Sequence, residues 1–207
     1  MARHTGAVCK LCRRERMKLF LKGAKCDSMK CPVERKPYPP GEHGRGRIRE
    51  SEYLLQLREK QKARRIYGIL EKQFRNLYEE ANRQPGITGE NLLRMLEQRL
   101  DNTVFRTSFA ASRNQARQLV RHGHVLVNGK RVTIPSYQVR EGDVVGLGPK
   151  ALHNIIIRHN LDTLDHAVPA WLDVNSEKLE ATVRGAPLRE QIDVPVREQL
   201  IVELYSK

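Results

Sequence analysis

The chain's 207 residues include 38 Lys and Arg against 24 Asp and Glu, a formal charge of +14. That length suggests one large or two small domains and is enough to bury a core without disulfide staples. The charge points to an anionic partner, nucleic acid first and an anionic membrane surface second, and no apolar stretch is long enough to span a bilayer.

The excess is uneven. Residues 1–49 hold 14 basic and 4 acidic side chains, residues 50–159 hold 19 and 11, and residues 160–207 hold 5 and 9. An anionic partner is therefore expected against the first three-quarters of the chain. Residues 1–50 read as an irregular arm. Apolar positions are sparse, and Pro37-Tyr38-Pro39-Pro40-Gly41 followed by Gly44 and Gly46 marks a loop. Such a segment buries too little to fold unaided.

All four cysteines lie in this arm: Cys9 and Cys12 as C-x2-C, then Cys26 and Cys31 as C-x4-C. The first residues contain no apolar run, so no export signal is expected, and thiols in a reducing cytosol serve as ligands more often than as disulfides. Two such pairs can close a tetrahedral shell. Zinc is the leading expectation, with an iron–sulfur cluster as the alternative that spacing does not separate. Four thiolates would leave no open position, so the metal would be structural and its binding energy would order the arm. Arg45, Arg47 and Arg49 alternate in the glycine-rich loop and suit an irregular phosphate path.

Residues 51–82 carry apolar positions at threes and fours, which predicts helix with Ser51 as its cap. Lys60, Lys62, Arg64 and Arg65 lie on the intervening face as candidates for RNA phosphates. Pro85-Gly86 ends this stretch, and Thr88 is expected to cap a further helix through Leu100. Ser112-Arg113-Asn114-Gln115 has capping-box form and opens a helix that exits at Gly123. Along it Arg113, Arg117 and Arg121 recur at i, i+4 and i+8, expected opposite the apolar Ala116, Leu119 and Val120 side and docked against RNA phosphates. Val125-Leu126-Val127, the hairpin signal Asn128-Gly129, and Arg131 to Ile134 form a hairpin with Lys130 and Arg131 at its tip. Val144 to Leu147 is a further strand. The terminal run Leu200 to Tyr205 is expected to pack rather than hang free.

Aromatic residues make up 5% of the chain, too few for an extended base-stacking platform. No nucleophile elbow or phosphate-binding loop appears, and although Asp/Glu pairs are present nothing brings two into a site, so no enzyme chemistry is expected. An RNA-modifying enzyme would need a catalytic domain that the arm, helices and module leave no room for. A DNA-binding zinc protein would need base-reading residues beside the metal and usually a dimer signal.

Ala111 to Val132, ASRNQARQLVRHGHVLVNGKRV, closely resembles the small RNA-binding module named after the fourth protein of the small ribosomal subunit. Leu57 to Gly68, Thr88 to Leu93, Arg99 to Asn102, Pro40 to Gly44 and the ending Ile201 to Lys207 are similar to the bacterial ribosomal protein family itself. The resemblance implies an α+β protein. A basic metal-binding arm over 1–50 would precede a discontinuous helical domain over 51–96 and 166–207, with an inserted module over 97–165. It implies a structural, non-enzymatic, cytoplasmic protein of the ribosome that binds small-subunit ribosomal RNA and nucleates 5′-domain assembly. It would adjoin ribosomal proteins three and five and line the mRNA entrance with an effect on accuracy, and some members repress their own mRNA. Cys9, Cys12, Cys26 and Cys31 match the metal ligands of a cysteine-bearing branch, which other members lack. Arg45, Arg47 and Arg49 fall at the mRNA entrance. Glu42 departs from the usual Gln beside His43, and Leu54 from a common Gly.

Overall fold

A computed structural model describes residues 3–46, 49–152, 154–163 and 167–206. The protein is α+β and divides into two compact units. One joins residues 1–91 to 194–207, and the other comprises 92–193.

In the first unit, α1 (Val8–Glu15) and α2 (Pro32–Arg35) frame the arm, followed by α3 (Glu52–Ile66) and α4 (Glu71–Arg83). The single helix expected over 51–82 is therefore two. Gly68 turns left-handed at φ 65. The Ile69 N–H there reaches back to the Arg64 carbonyl at 2.9 Å, an exit that glycine adopts without steric penalty. Ser51 caps α3 as expected, its Oγ accepting from the Leu54 N–H at 3.3 Å. α5 (Thr88–Glu97) begins at Thr88 itself, one residue earlier than a Thr88 cap would place it. Ile87 accepts from the Asn91 N–H, and Thr88 Oγ1 instead donates to Asn82.

The C-terminal run folds as α10 (Glu198–Tyr205) and packs on α3. Ile201 is fully buried, and the Tyr205 ring lies 4.5 Å from that of Tyr78 and 6.4 Å from that of Phe74.

The second unit takes α6 (Leu100–Arg106) and α7 (Arg113–Arg121) against a five-stranded antiparallel sheet. Its strands are β1 (Val125–Val127), β2 (Lys130–Arg131), β3 (Val144–Leu147), β4 (Leu172–Asn175) and β5 (Glu180–Val183), in the order β2-β1-β3-β5-β4. Between β3 and β4 lie α8 (Pro149–Leu152) and α9 (Ile155–Thr163). Val104, Phe109, Val120, Val125, Val145, Ile157 and Trp171 meet in the core. Asn128 and Gly129 both have positive φ, as a two-residue type I′ turn requires. β4 and β5 alternate apolar and polar positions, while β1 and β3 are apolar throughout.

The expected division at 165/166 differs from the observed one. β5 pairs with β3, aligning Val145 with Ala181, so residues through Asp193 belong to the sheet unit. Only 194–207 return to the helices. β4 and β5 are short and individually weak as patterns; β5 is stabilised by pairing with β3, and β4 by pairing with β5.

Candidate nucleic-acid interface

The helix expected over 51–82, whose first half is α3, was expected to present a cationic face. Its cations instead meet carboxylates. Lys60 is buried, with Nζ 2.7 Å from Glu71 and 5.4 Å from the Tyr205 ring centre. Arg64 bonds Glu71 at 2.7 Å and Gln61 at 2.9 Å. Lys62 pairs with Glu59, and Arg65 with Glu15, whose side chain is only 1% exposed and which also faces Arg58. Burial pushes the Glu15 carboxyl above its ordinary value even with Arg58 and Arg65 opposing. These four cations link α1, α3, α4 and α10 through their carboxylate and ring partners, with Lys60 buried and the other three half-buried. Glu59 three residues before Lys62 was the local signal that could have disclosed one of these pairs; Glu15 is too distant in sequence to read.

The arginine stripe of α7 separates into three environments. Ser112 Oγ accepts from the Gln115 N–H at 3.3 Å, and Gln115 returns to the Ala111 N–H at 2.7 Å, one residue beyond a simple capping box. Arg113 is half-buried: its Nε donates to Asn102 at 2.8 Å and its guanidinium lies 4.4 Å from the Phe105 ring centre. Arg117 is 4% exposed and bonds Asp101 at 2.9 Å, while Arg99 grips the same carboxylate at 3.1 and 2.9 Å. Burial lowers the Arg117 guanidinium's pKa, against the pull of Asp101. Arg121 is exposed.

Helical geometry explains the correction at Arg117. At 3.6 residues per turn it sits about 60° from Val120, beside the apolar stripe and not across from it. Asp101, sixteen residues away, supplies the counter-charge that lets it go under. A linked network flanks it, in which Arg106 grips Glu97 at 2.9 Å with both nitrogens and Asn102 donates to Glu97 at 2.8 Å.

The hairpin end is where cations reach solvent. Lys130 and Arg131 are exposed. A Cβ at Gly123 would fall 2.0 Å from Arg131 Nε, so the guanidinium lies directly over that glycine, two residues after Arg121 in the chain. Asn128 pins the turn by donating to Asp143 and accepting from the Val144 N–H, both at 2.8 Å.

In the arm, Cys12, Cys26 and Cys31 are buried and Cys9 is half-buried. The Lys22 N–H donates to Cys26 Sγ at 3.3 Å. Burial raises the Cys12 thiol above its ordinary value, a backbone hydrogen bond at Leu19 opposes this, and Cys26, Cys9 and Cys31 add to it. The four thiols are thus electrostatic neighbours. Among the described residues no three His, Cys, Asp or Glu side chains form a group that could hold a metal ion. The donor types suit a thiophilic metal, while their placement falls short of a coordination shell.

Around the arm's loop, Arg13 Nε donates to the carbonyls of Lys36 and Tyr38 at 3.1 and 3.0 Å. Arg13 and Arg45 lie 5.0 and 4.8 Å from the Tyr38 ring centre, and Arg45 also donates to its hydroxyl at 3.2 Å. Tyr38 was not singled out from the sequence, although a Tyr between prolines near spaced arginines is a visible signal. Arg45 and Arg49 are exposed, and Arg47 lies outside the described residues. A Cβ at Gly44 would stand 1.9 Å from the Pro39 carbonyl oxygen, so the loop closes only over a glycine.

Residues 3–97 match the family model for the ribosomal protein S4/S9 N-terminal domain, and residues 98–145 match the S4 domain. The chain is 64% identical to small ribosomal subunit protein uS4 of Acidothermus cellulolyticus, covering 100% of both chains. It is 61% identical to that of Frankia casuarinae and 59% identical to that of Pelotomaculum thermopropionicum, again over 100% of each. Two adjoining domain matches in the family's order, with relatives aligned end to end, leave one conclusion: the chain belongs to the uS4 family of small ribosomal subunit proteins.

Proposed function

We infer that this protein is a structural, non-enzymatic constituent of the small subunit of the cytoplasmic ribosome and binds its ribosomal RNA. The observation that carries the reading is 64% identity to a uS4 protein over the whole of both chains. The surface chemistry agrees. Arg3, Lys10, Lys22, Lys25, Lys30 and Arg35 are exposed in the arm, and Arg121, Lys130 and Arg131 at the hairpin end. Spaced cations of this kind neutralise phosphates and release counterions. Buried Lys60 and Arg117, with their carboxylate partners, help hold the scaffold that presents them.

Finer parts of the reading rest on the family resemblance and on residue chemistry. Cys9, Cys12, Cys26 and Cys31 would hold one structural zinc, the thiols drawing into a shell as it binds and ordering the arm; the chemistry also admits an iron–sulfur cluster. Arg45, Arg47 and Arg49 would meet mRNA at its entrance, beside ribosomal proteins three and five. Binding would nucleate 5′-domain assembly.

Sedimentation of a lysate tests the main reading, with the chain expected to travel with small subunits through a salt wash. A chain that stays at the top of the gradient refutes it. Elemental analysis is expected to find one zinc per chain; metal-free protein with four titrating thiols would remove the metal.

A further inference from the structure

Between the end of α1 and the start of α3 lies a solvent-open recess of about 150 Å³. That is roughly half the 300 Å³ at which drug-sized sites begin, and it suits one flat ring system. Its lining divides by chemistry. Leu54, Leu55 and Pro39 supply apolar surface, and Leu55 is 38% exposed. Arg14 and Arg16 stand exposed at its margin, and among the described residues neither is in an ion pair. Arg58 keeps a buried Nε–H without an acceptor.

Three carboxylates also line it. Glu15 and Glu59 are held by Arg58, Arg65 and Lys62. Glu50 is exposed, and among the described residues no cation or donor engages it.

We propose that this recess takes one unstacked guanine of a single-stranded RNA segment, an inference that rests on the RNA-binding reading above. Apolar side chains give a ring a surface to lie on, and guanidinium planes can stack on its other side and meet the flanking phosphates. An ionised carboxylate only accepts hydrogen bonds. Guanine alone among the four bases offers two adjacent N–H donors, at N1 and N2, to both oxygens of Glu50. A bare phosphate would leave the leucines unused and would be repelled by Glu50.

The test measures binding of end-labelled pentanucleotides UUGUU and UUAUU to the full chain by fluorescence anisotropy at fixed physiological salt. UUGUU is expected to bind about tenfold more tightly, as one bidentate base contact allows. Glu50→Gln should abolish that preference, and Leu55→Asp should weaken both oligonucleotides. Equal binding of the two, or a preference that survives Glu50→Gln, overturns the proposal. Free guanosine monophosphate binding as tightly as UUGUU overturns the assignment to a strand. A small-subunit RNA fragment in the same assay keeps the two readings apart. If the unmutated chain binds the fragment but shows no guanine preference, only the recess assignment falls. If it does not bind the fragment, the RNA reading itself fails and the recess falls with it.

Discussion

Removing the carboxylate and removing one of its arginines should have very different consequences in the Arg99–Asp101–Arg117 cluster. All three side chains are buried, at 2%, 4% and 4% exposure. Asp101→Ala leaves two guanidiniums facing each other without a counter-charge. Breaking a buried pair in this way costs about 3–5 kcal/mol. At about 4–8 °C per kcal/mol for a domain near 100 residues, the sheet unit should melt at least about 12 °C lower. Arg117→Met should be mild. It forfeits one charge-assisted bond, worth about 1.5–3 kcal/mol. It also removes the Nε and Nη2 donors of Arg117, which are buried without partners, each costing about 1–3 kcal/mol. Asp101 keeps its two bonds to Arg99, so any net destabilisation should not exceed about 1 kcal/mol, and a gain is the expected sign. Trp171, the chain's one tryptophan and 3% exposed in this unit, reports the melting by fluorescence. A salt titration of RNA binding completes the test, because a buried Arg117 contributes nothing to the slope. A slope that shrinks by about 0.7–0.9 in Arg117→Met with unchanged melting would make Arg117 a phosphate ligand and refute the reasoning.

Replacing Arg121, Lys130 and Arg131 singly by Gln should each reduce the log-affinity versus log-salt slope by roughly 0.7–0.9, checked on a small-subunit RNA fragment. Gly44→Ala should destabilise the arm's loop by about 1–3 kcal/mol, the usual cost of overpacking, seen as faster amide exchange over the residues around Tyr38. Burial pushes the Glu71 carboxyl up, but hydrogen bonds from Lys60 and Tyr205 outweigh it and the net shift is downward. A lowered carboxylate contributes stability that is present above the ordinary range, about 4.3, and is lost as pH falls through its folded value. Near-UV circular dichroism of the tyrosines should follow that acid-side loss in the unmutated chain and find it diminished in Glu71→Gln.

What was legible in the sequence was what its neighbours decide. Ser112 and Ser51 cap their helices because the partner N–H lies three residues on. Asn128-Gly129 turns a hairpin because both residues tolerate positive φ. Basic composition pointed to nucleic acid before any geometry was known. The Arg117 environment was not legible, because its burial depends on Asp101 in another helix. The same holds for the cations of α3, whose partners Glu15 and Glu71 lie in other helices. The strands at 172–175 and 180–183 escaped notice because four residues of mixed character form a strand only when a neighbour offers its edge, β3 for 180–183 and that strand in turn for 172–175.

The return of residues 194–207 to α3 imposes an order on synthesis. Gln56 finds Glu203 at 3.0 Å and Glu59 accepts from the Arg197 N–H at 3.1 Å, partners that lie 147 and 138 residues downstream. At about 5–20 residues per second, the intervening 92–193 take about 5–20 s to emerge. For that interval α3 waits with part of its inward face uncovered, and at its end the sheet unit has every strand it needs before 194–207 follow. The unit begun first is therefore completed last, and the hairpin cations are in place before the helical unit has closed.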